Sequence, residues 1–392
     1  MKKTFIFAAL IIAQFCGTSL WFAGNVVLPQ LQQEFHWQPS ALGYLTSSIQ
    51  LGFISGTLCF SILGLADRFS SSKLFFVSSV IAAACNLLAL ADLSSYPLLL
   101  TSRFLTGFFL AGIYPVGMKI AADWKQEGLG NWLGALVGAL VLGTAFPHAL
   151  KLFPQFLKAQ ALLLGVTSLA LLGGLLIILV VPDGPYRKRG SQFSLHGLQQ
   201  VFKINAFRAP AFGYFGHMWE LYTLWAFVPW IINHYKVIHP SFVVHSSLIA
   251  FLVIGAGGIG CMLGGLLSVN KGSAWVARNA LICSGLCCIM SPWLWNFSPA
   301  WFTTFMILWG VTVAADSPQF SALVAQHAPA QVKGSAITLI VCIGFTITIA
   351  SVQLLNHLQY SFPGKYLLLL LAPGPIAGIF AMRRANSIGV QY

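Results

Sequence analysis

FCGTSLWFAGNVVLP (15–29) has a partner later in the chain, YFGHMWELYTLWAFVP (214–229): Gly17 aligns with Gly216, and Pro29 with Pro229 after one residue of slippage. Two further pairs follow in the same order. SILGLADRFSS (61–71) sets Gly64-Leu65 against the Gly265-Leu266 of MLGGLLSVNKG (262–272). RFLTGFFLAGIYPVG (103–117) sets Gly107 and Pro115 against Gly310 and Pro318 of MILWGVTVAADSPQF (306–320). Offsets that stay between 199 and 203 through three matches point to a duplicated unit.

What is duplicated follows from composition. The chain has 392 residues, 57% hydrophobic and 7% charged, where a soluble protein carries about a quarter charged residues. That much apolar surface cannot be hidden inside a water-soluble globule. At roughly 20 apolar residues per crossing, the apolar stretches divide into twelve segments, near 5–29, 40–65, 74–92, 97–122, 131–150, 158–181, 209–233, 246–268, 275–295, 300–325, 334–357 and 365–382. The runs are long and uniformly apolar, without the ten-residue alternation of barrel strands. The expected fold is an all-α integral membrane protein, twelve transmembrane helices in two pseudo-symmetric six-helix bundles, 1–181 and 209–392. Between them lies a basic cytoplasmic linker, 182–208, in which Leu195, Leu198, Val201 and Phe202 have the spacing of a short interfacial helix. The start of the chain, MKKTFIFAALIIAQFCGTSLWFAG, has the make-up of a secretory signal peptide. Its apolar run continues to Pro29 and it is one partner of the repeat, so it is read as the first span.

The net charge of +13 encodes topology. With the N-terminus inside, sixteen of the 21 lysines and arginines fall on the cytoplasmic side, among them Lys73, Lys119, Arg187, Arg208 and Arg383. Only Lys151, Lys158, Lys236 and Lys365 fall outside, and Arg103 lies within a span. This is the positive-inside bias, with both termini cytoplasmic in the inner (plasma) membrane, and it gives no reason to expect a nucleic-acid partner. All eight cysteines lie in spans without a CxxC pair, so neither a disulfide framework nor a thiolate metal site is expected.

Tandem halves with internal symmetry are a transporter architecture. Here the chain resembles the major facilitator superfamily. LGLADRFSSSK (63–73) is similar to that family's cytoplasmic loop signature, and RFLTGFFLAGIYP (103–115) to its Arg-x-x-x-Gly motif. Asp67 and Arg68 hold the acidic and first basic positions of the signature, while Ser70, Ser71 and Ser72 replace its glycine and basic pair, and Ser268 stands where the second-half acid would be. The glycine–proline motif of drug antiporters is missing from the fifth span, where GALVGALVLGTAFPH (134–148) offers glycines suited to close packing. The resemblance implies that spans one, four, seven and ten line a central cavity. It also implies that Asp67, with Arg68, gates the cytoplasmic side, and a helix N-terminus near Gly334-Ser335 would be a favourable partner for the carboxylate.

Only Glu220, Asp316 and Arg103 place charge well inside spans, on the seventh, tenth and fourth. Charge at the bilayer centre costs roughly 2.5–3.5 kcal/mol on insertion scales, so such groups face a partner or a wet cavity. Glu220 is the first candidate for carrying a proton. His217, three residues earlier, could share that proton or hydrogen-bond the carboxylate; a static link between helices is the bland alternative. Asp316 precedes Pro318 and either serves solute and protons or satisfies backbone groups that the proline frees. Arg103 either binds an anionic solute or pairs with a carboxylate. Trp21, Asn25, Tyr114, Trp219, Tyr222 and Trp225 are candidates for a stacking and hydrogen-bonding wall, though aromatics in membrane helices also serve as interface anchors. His148 is a similar candidate in the fifth span.

The expected function is secondary active transport of a small organic solute by alternating access, coupled to protons, by a monomer without cofactors in contact with the lipid bilayer. No nucleotide-binding signature points to ATP. Two alternatives are drug- or siderophore-type efflux by the same fold, and an intramembrane enzyme using the His217/Glu220 pair, a site too poor in ligands for a metal.

Overall fold

The computed structural model describes residues 3–125, 129–187, 201–329 and 332–387, and every regular element among them is helical. The chain divides into two compact units, Met1–Gln192 and Phe193–Tyr392. In the first, the spans are Lys3–Thr18 continued by Ala23–Phe35, Ala41–Ile62, Ser71–Leu88, Tyr96–Leu110 continued by Tyr114–Trp124, Leu129–Leu150 and Ala159–Val180. In the second they are Asn205–Ile238, Ser246–Lys271, Ser273–Met290, Pro299–Ala315 continued by Ser317–His327, Lys333–Leu358, and Gly364–Leu367 leading into Pro373–Ser387. Within the 182–208 segment, Leu195 and Leu198 lie outside the described residues; Val201 is buried, and Phe202 packs edge-on against Phe207.

Among the described residues, ten of these helical segments are long and apolar enough to cross a membrane. The protein is therefore a multi-pass membrane protein. The seventh and tenth segments are helical but fall short of that measure. The seventh runs for 34 residues and mixes His217 and Glu220 with tyrosines and tryptophans. The tenth has 17 residues before it breaks at Asp316. The segments that miss that measure, the seventh by its polar content and the tenth by its length before the break, are the two that hold the intramembrane acids.

The duplication read from the sequence reappears as shared packing. In the first unit a Cβ on Gly107 would strike the Ile49 carbonyl, and one on Gly56 the Phe108 carbonyl. In the second unit Gly310 meets the Val253 carbonyl and Gly260 the Val311 carbonyl in the same way. The second and fourth spans, like the eighth and tenth, thus approach backbone to backbone, which small residues permit and larger ones block.

Among the described residues four spans are discontinuous. The first is interrupted between Thr18 and Ala23, the fourth between Leu110 and Tyr114, and the tenth at Asp316. The twelfth passes from Gly364–Leu367 through Leu368–Leu371 and Ala372 before Pro373. Pro115 and Pro318 follow the breaks in the fourth and tenth; each lacks the N–H that would bond the carbonyl four residues earlier. In the tenth span that carbonyl, of Ala314, accepts the thiol of Cys261 at 3.1 Å. The backbone vacancy left by Pro318 is therefore met by Cys261, and the Asp316 side chain is directed elsewhere.

Candidate functional site

In the second unit, Glu220 is 0% exposed and its carboxyl is held by neutral donors from two neighbouring spans. The Trp309 indole N–H donates to Oε1 at 2.6 Å and the Cys288 thiol donates to the same oxygen at 3.2 Å. The Ser284 hydroxyl donates to Oε2 at 3.0 Å. Ser284 and Cys288 lie four residues apart, on one face of the ninth span. Among the described residues no lysine or arginine is a partner, so the buried carboxyl has no cation beside it there.

His217 does not meet Glu220, a correction to the reading that spacing suggested. A separation of three residues places two side chains on one helical face, but His217 turns to the tenth span, where its Nδ1 lies 2.8 Å from Asp316 Oδ1. The two side chains are 1% and 0% exposed. The approach is that of an ion pair without hydrogen-bond alignment, and among the described residues no other side chain hydrogen-bonds the second ring nitrogen or the second carboxylate oxygen. Tyr214 and Phe320 flank the imidazole, with ring centres 5.9 and 6.2 Å away. The HxxE pair on which the enzyme alternative rested is thus divided between two sets of partners.

In the first unit, Arg103 is 1% exposed and bonds only neutral acceptors. One guanidinium nitrogen donates to Asn86 Oδ1 at 2.7 Å, and the other to the carbonyls of Leu20 and Trp21. Those carbonyls belong to the break in the first span, where no helical N–H reaches them. Asn86 is held in turn by donating to Thr167 Oγ1 at 3.0 Å and to the Leu163 carbonyl at 3.2 Å. Gly24 leaves room for the arginine: a Cβ there would lie 2.9 Å from Arg103 Cδ. The expected carboxylate partner is replaced by backbone, because the discontinuity of the first span, unread in the sequence, supplies acceptors.

The remaining candidates are scattered. Asn25 is buried and donates to Thr46 Oγ1 at 2.7 Å; Trp21 is buried with its ring edge-on to Phe53. Tyr114 is half-buried at the start of the second part of the fourth span. Trp219 donates to the Leu370 carbonyl at 3.0 Å, while Tyr222 and Trp225 stack edge-on in the interior of their own unit. His148 is buried near the end of the fifth span. At the end of the first unit that carries the loop between the second and third spans, Asp67 lies 3.5 Å from Lys119, which also reaches Asp123 at 3.4 Å. Arg68 is exposed. The segment after the sixth span straps this end: Asp183 takes Ser70 at 2.7 Å and Arg187 at 2.8 Å, and Arg187 also reaches the Phe69 carbonyl.

An all-helical, internally repeated, multi-pass chain with ionisable groups buried in each unit has the build of a membrane transporter. The chain belongs to the Major Facilitator Superfamily, whose family model matches residues 10–352. Its fold is similar to those of the nucleoside transporter NupG (16% identical, covering 97% of this chain and 99% of that chain, TM-score 0.72) and the human organic anion transporter MFSD10 (12%, 97% and 100%, TM-score 0.73). It is equally similar to the Escherichia coli fucose:proton symporter FucP (15%, 100% and 100%, TM-score 0.71). At these identities the likeness concerns fold. In sequence, the uncharacterized transporter YgaY of Escherichia coli is 28% identical over 142 residues, 34% of this chain and 34% of the relative, so the match spans about a third of that relative's length.

Proposed function

We propose that the protein is a secondary active transporter that moves a small organic solute by alternating access and couples that movement to protons through Glu220. The observation that supports this most is the setting of that carboxyl: fully buried, held by an indole, a hydroxyl and a thiol, and without a lysine or arginine partner among the described residues. An acid kept inside a membrane span on such terms is suited to a proton relay. The buried His217–Asp316 pair, without a further side-chain hydrogen bond among the described residues, is a second proton-exchanging site one turn away. Tyr114, Trp21, Asn25 and Trp219 are proposed solute contacts, and Asp67 with Arg68 belongs to a cytoplasmic gate. Arg103 holds the break in the first span in shape. The distribution of lysine and arginine supports the inner membrane with both termini in the cytoplasm.

The test is flux. Purified protein in proteoliposomes, supplied with a metabolite extract, should concentrate one class of solute when a pH gradient is imposed. Glu220→Gln should abolish the response to the gradient. Equal accumulation by Glu220→Gln, or no solute moved beyond that in protein-free liposomes, rejects the proposal.

A further inference from the structure

The two oxygens of Glu220 are not equivalent. Each carboxylate oxygen has two lone pairs, and both of those on Oε1 are taken, by Trp309 Nε1 at 2.6 Å and Cys288 Sγ at 3.2 Å. An indole N–H can only donate, so Oε1 must remain an acceptor whatever the charge on the acid. Oε2 has a single partner, the Ser284 hydroxyl at 3.0 Å. A hydroxyl can donate or accept, and it rotates to suit. Ser284 has a second acceptor in place, since its Oγ also lies 3.3 Å from the Leu281 carbonyl on its own helix. Ser284 is 1% exposed, so neither state can call on bulk water.

From these atoms we propose that Glu220 takes its proton on Oε2 and that Ser284 is the rotor that accommodates it. With Glu220 ionised, the serine hydroxyl donates to Oε2. When a proton arrives on Oε2, the new O–H donates to Ser284 Oγ and the serine hydrogen swings to the Leu281 carbonyl. No covalent bond changes except the O–H gained or lost on Glu220, and the serine keeps its own hydrogen throughout. Both states are fully hydrogen-bonded, which avoids the cost of a buried polar group left unpaired. The other titratable groups close enough to act on Glu220 are Cys288 and Cys287 on the ninth span and Asp316, with its partner His217. None of them reaches Oε2.

The inference rests on Glu220 being the proton carrier, and the two claims fail separately. The full-length protein in lipid is followed by infrared difference spectroscopy between acidic and alkaline buffer, with protons the only ligand. The carboxylic C=O band of Glu220 is the one that Glu220→Gln removes; if that variant removes no band, the proton reading itself is wrong and the rotor with it. With the proton on Oε2, the carbonyl is Oε1, so Trp309→Phe should move the band to higher wavenumber. Cys288→Ala should move it the same way by less, and serves if the tryptophan variant does not fold. Ser284→Ala should leave the band position unchanged but slow its appearance after a pH jump about tenfold, the effect of one net hydrogen bond. Ser284→Thr, which keeps the hydroxyl, should restore the rate. A band that moves in Ser284→Ala and stays in both Trp309→Phe and Cys288→Ala would put the proton on Oε1 and overturn the proposal, as would an unaltered rate in Ser284→Ala.

Discussion

The two units share their packing and differ in what they bury. In both, glycines let paired spans touch backbone to backbone: Gly107 and Gly56 in the first, Gly310 and Gly260 in the second. At the heart of the first unit lies a cation whose acceptors are carbonyls of a broken helix and one amide. At the heart of the second lie two acids on spans seven and ten, one held by neutral donors and the other beside a histidine. The seventh span, unlike the first, is continuous from Asn205 to Ile238, so it offers no broken backbone for a cation to satisfy. A repeat therefore conserves the contacts that set interhelical distance, while the chemistry of its interior diverges. A guanidinium shared among fixed carbonyls suits a structural tie. A carboxyl with movable hydroxyl and thiol donors suits a group that changes charge.

The sharpest way to break this contrast is to remove each centre. Arg103→Met strands the Leu20 and Trp21 carbonyls and the Asn86 amide oxygen, and should cost about 3 kcal/mol or more in denaturation followed in detergent. Arg103→Lys should recover little of it, because an ammonium cannot reproduce the planar fork. Glu220→Gln, which keeps the shape, should cost roughly 1 kcal/mol. If Glu220→Gln proves the more damaging to stability, the assignment of structure to one unit and chemistry to the other is reversed.

The shared half of the comparison is sharpened by matched substitutions. Gly107→Ala and Gly310→Ala each force a methyl against a carbonyl and should each destabilise by about 1–3 kcal/mol. A large difference between them would show that the repeat is not one of packing. Smaller still, a double-mutant cycle on His217 and Asp316 should give a coupling of about 1–2 kcal/mol, and one on His217 and Glu220 a value within about 0.5 kcal/mol of zero. The smallest effect is at the loop after the second span, where the partly exposed Asp67–Lys119 pair should contribute under about 1 kcal/mol and lose it in high salt.

How much of this was legible in the chain depends on the range of the interaction. Apolar run length and the recurrence of Gly107 and Pro115 as Gly310 and Pro318 were enough for the helices and the duplication, because these depend on neighbours in sequence. Arg103, Glu220 and Asp316 were also legible, since so few charged residues fall well inside the apolar runs. Their partners were not. Trp309, Ser284 and Cys288 come from other helices, and a buried tryptophan or serine in a span has no mark that separates an acid's donor from ordinary packing. The i, i+3 spacing of His217 and Glu220 suggested a pair; a carboxylate from the tenth span 2.8 Å away proved the nearer partner. The break in the first span was hidden too, because TSLWFAG contains no proline, and without it the acceptors of Arg103 could not be foreseen.

The central claim, that the Glu220 carboxyl gains and loses the coupling proton, is tested most directly by infrared difference spectra of wild type and Glu220→Gln in lipid across a pH change. The account predicts a carboxylic C=O band in the wild type that the substitution abolishes while the protein stays folded. A wild-type spectrum without such a band, or one that the substitution leaves intact, would contradict it.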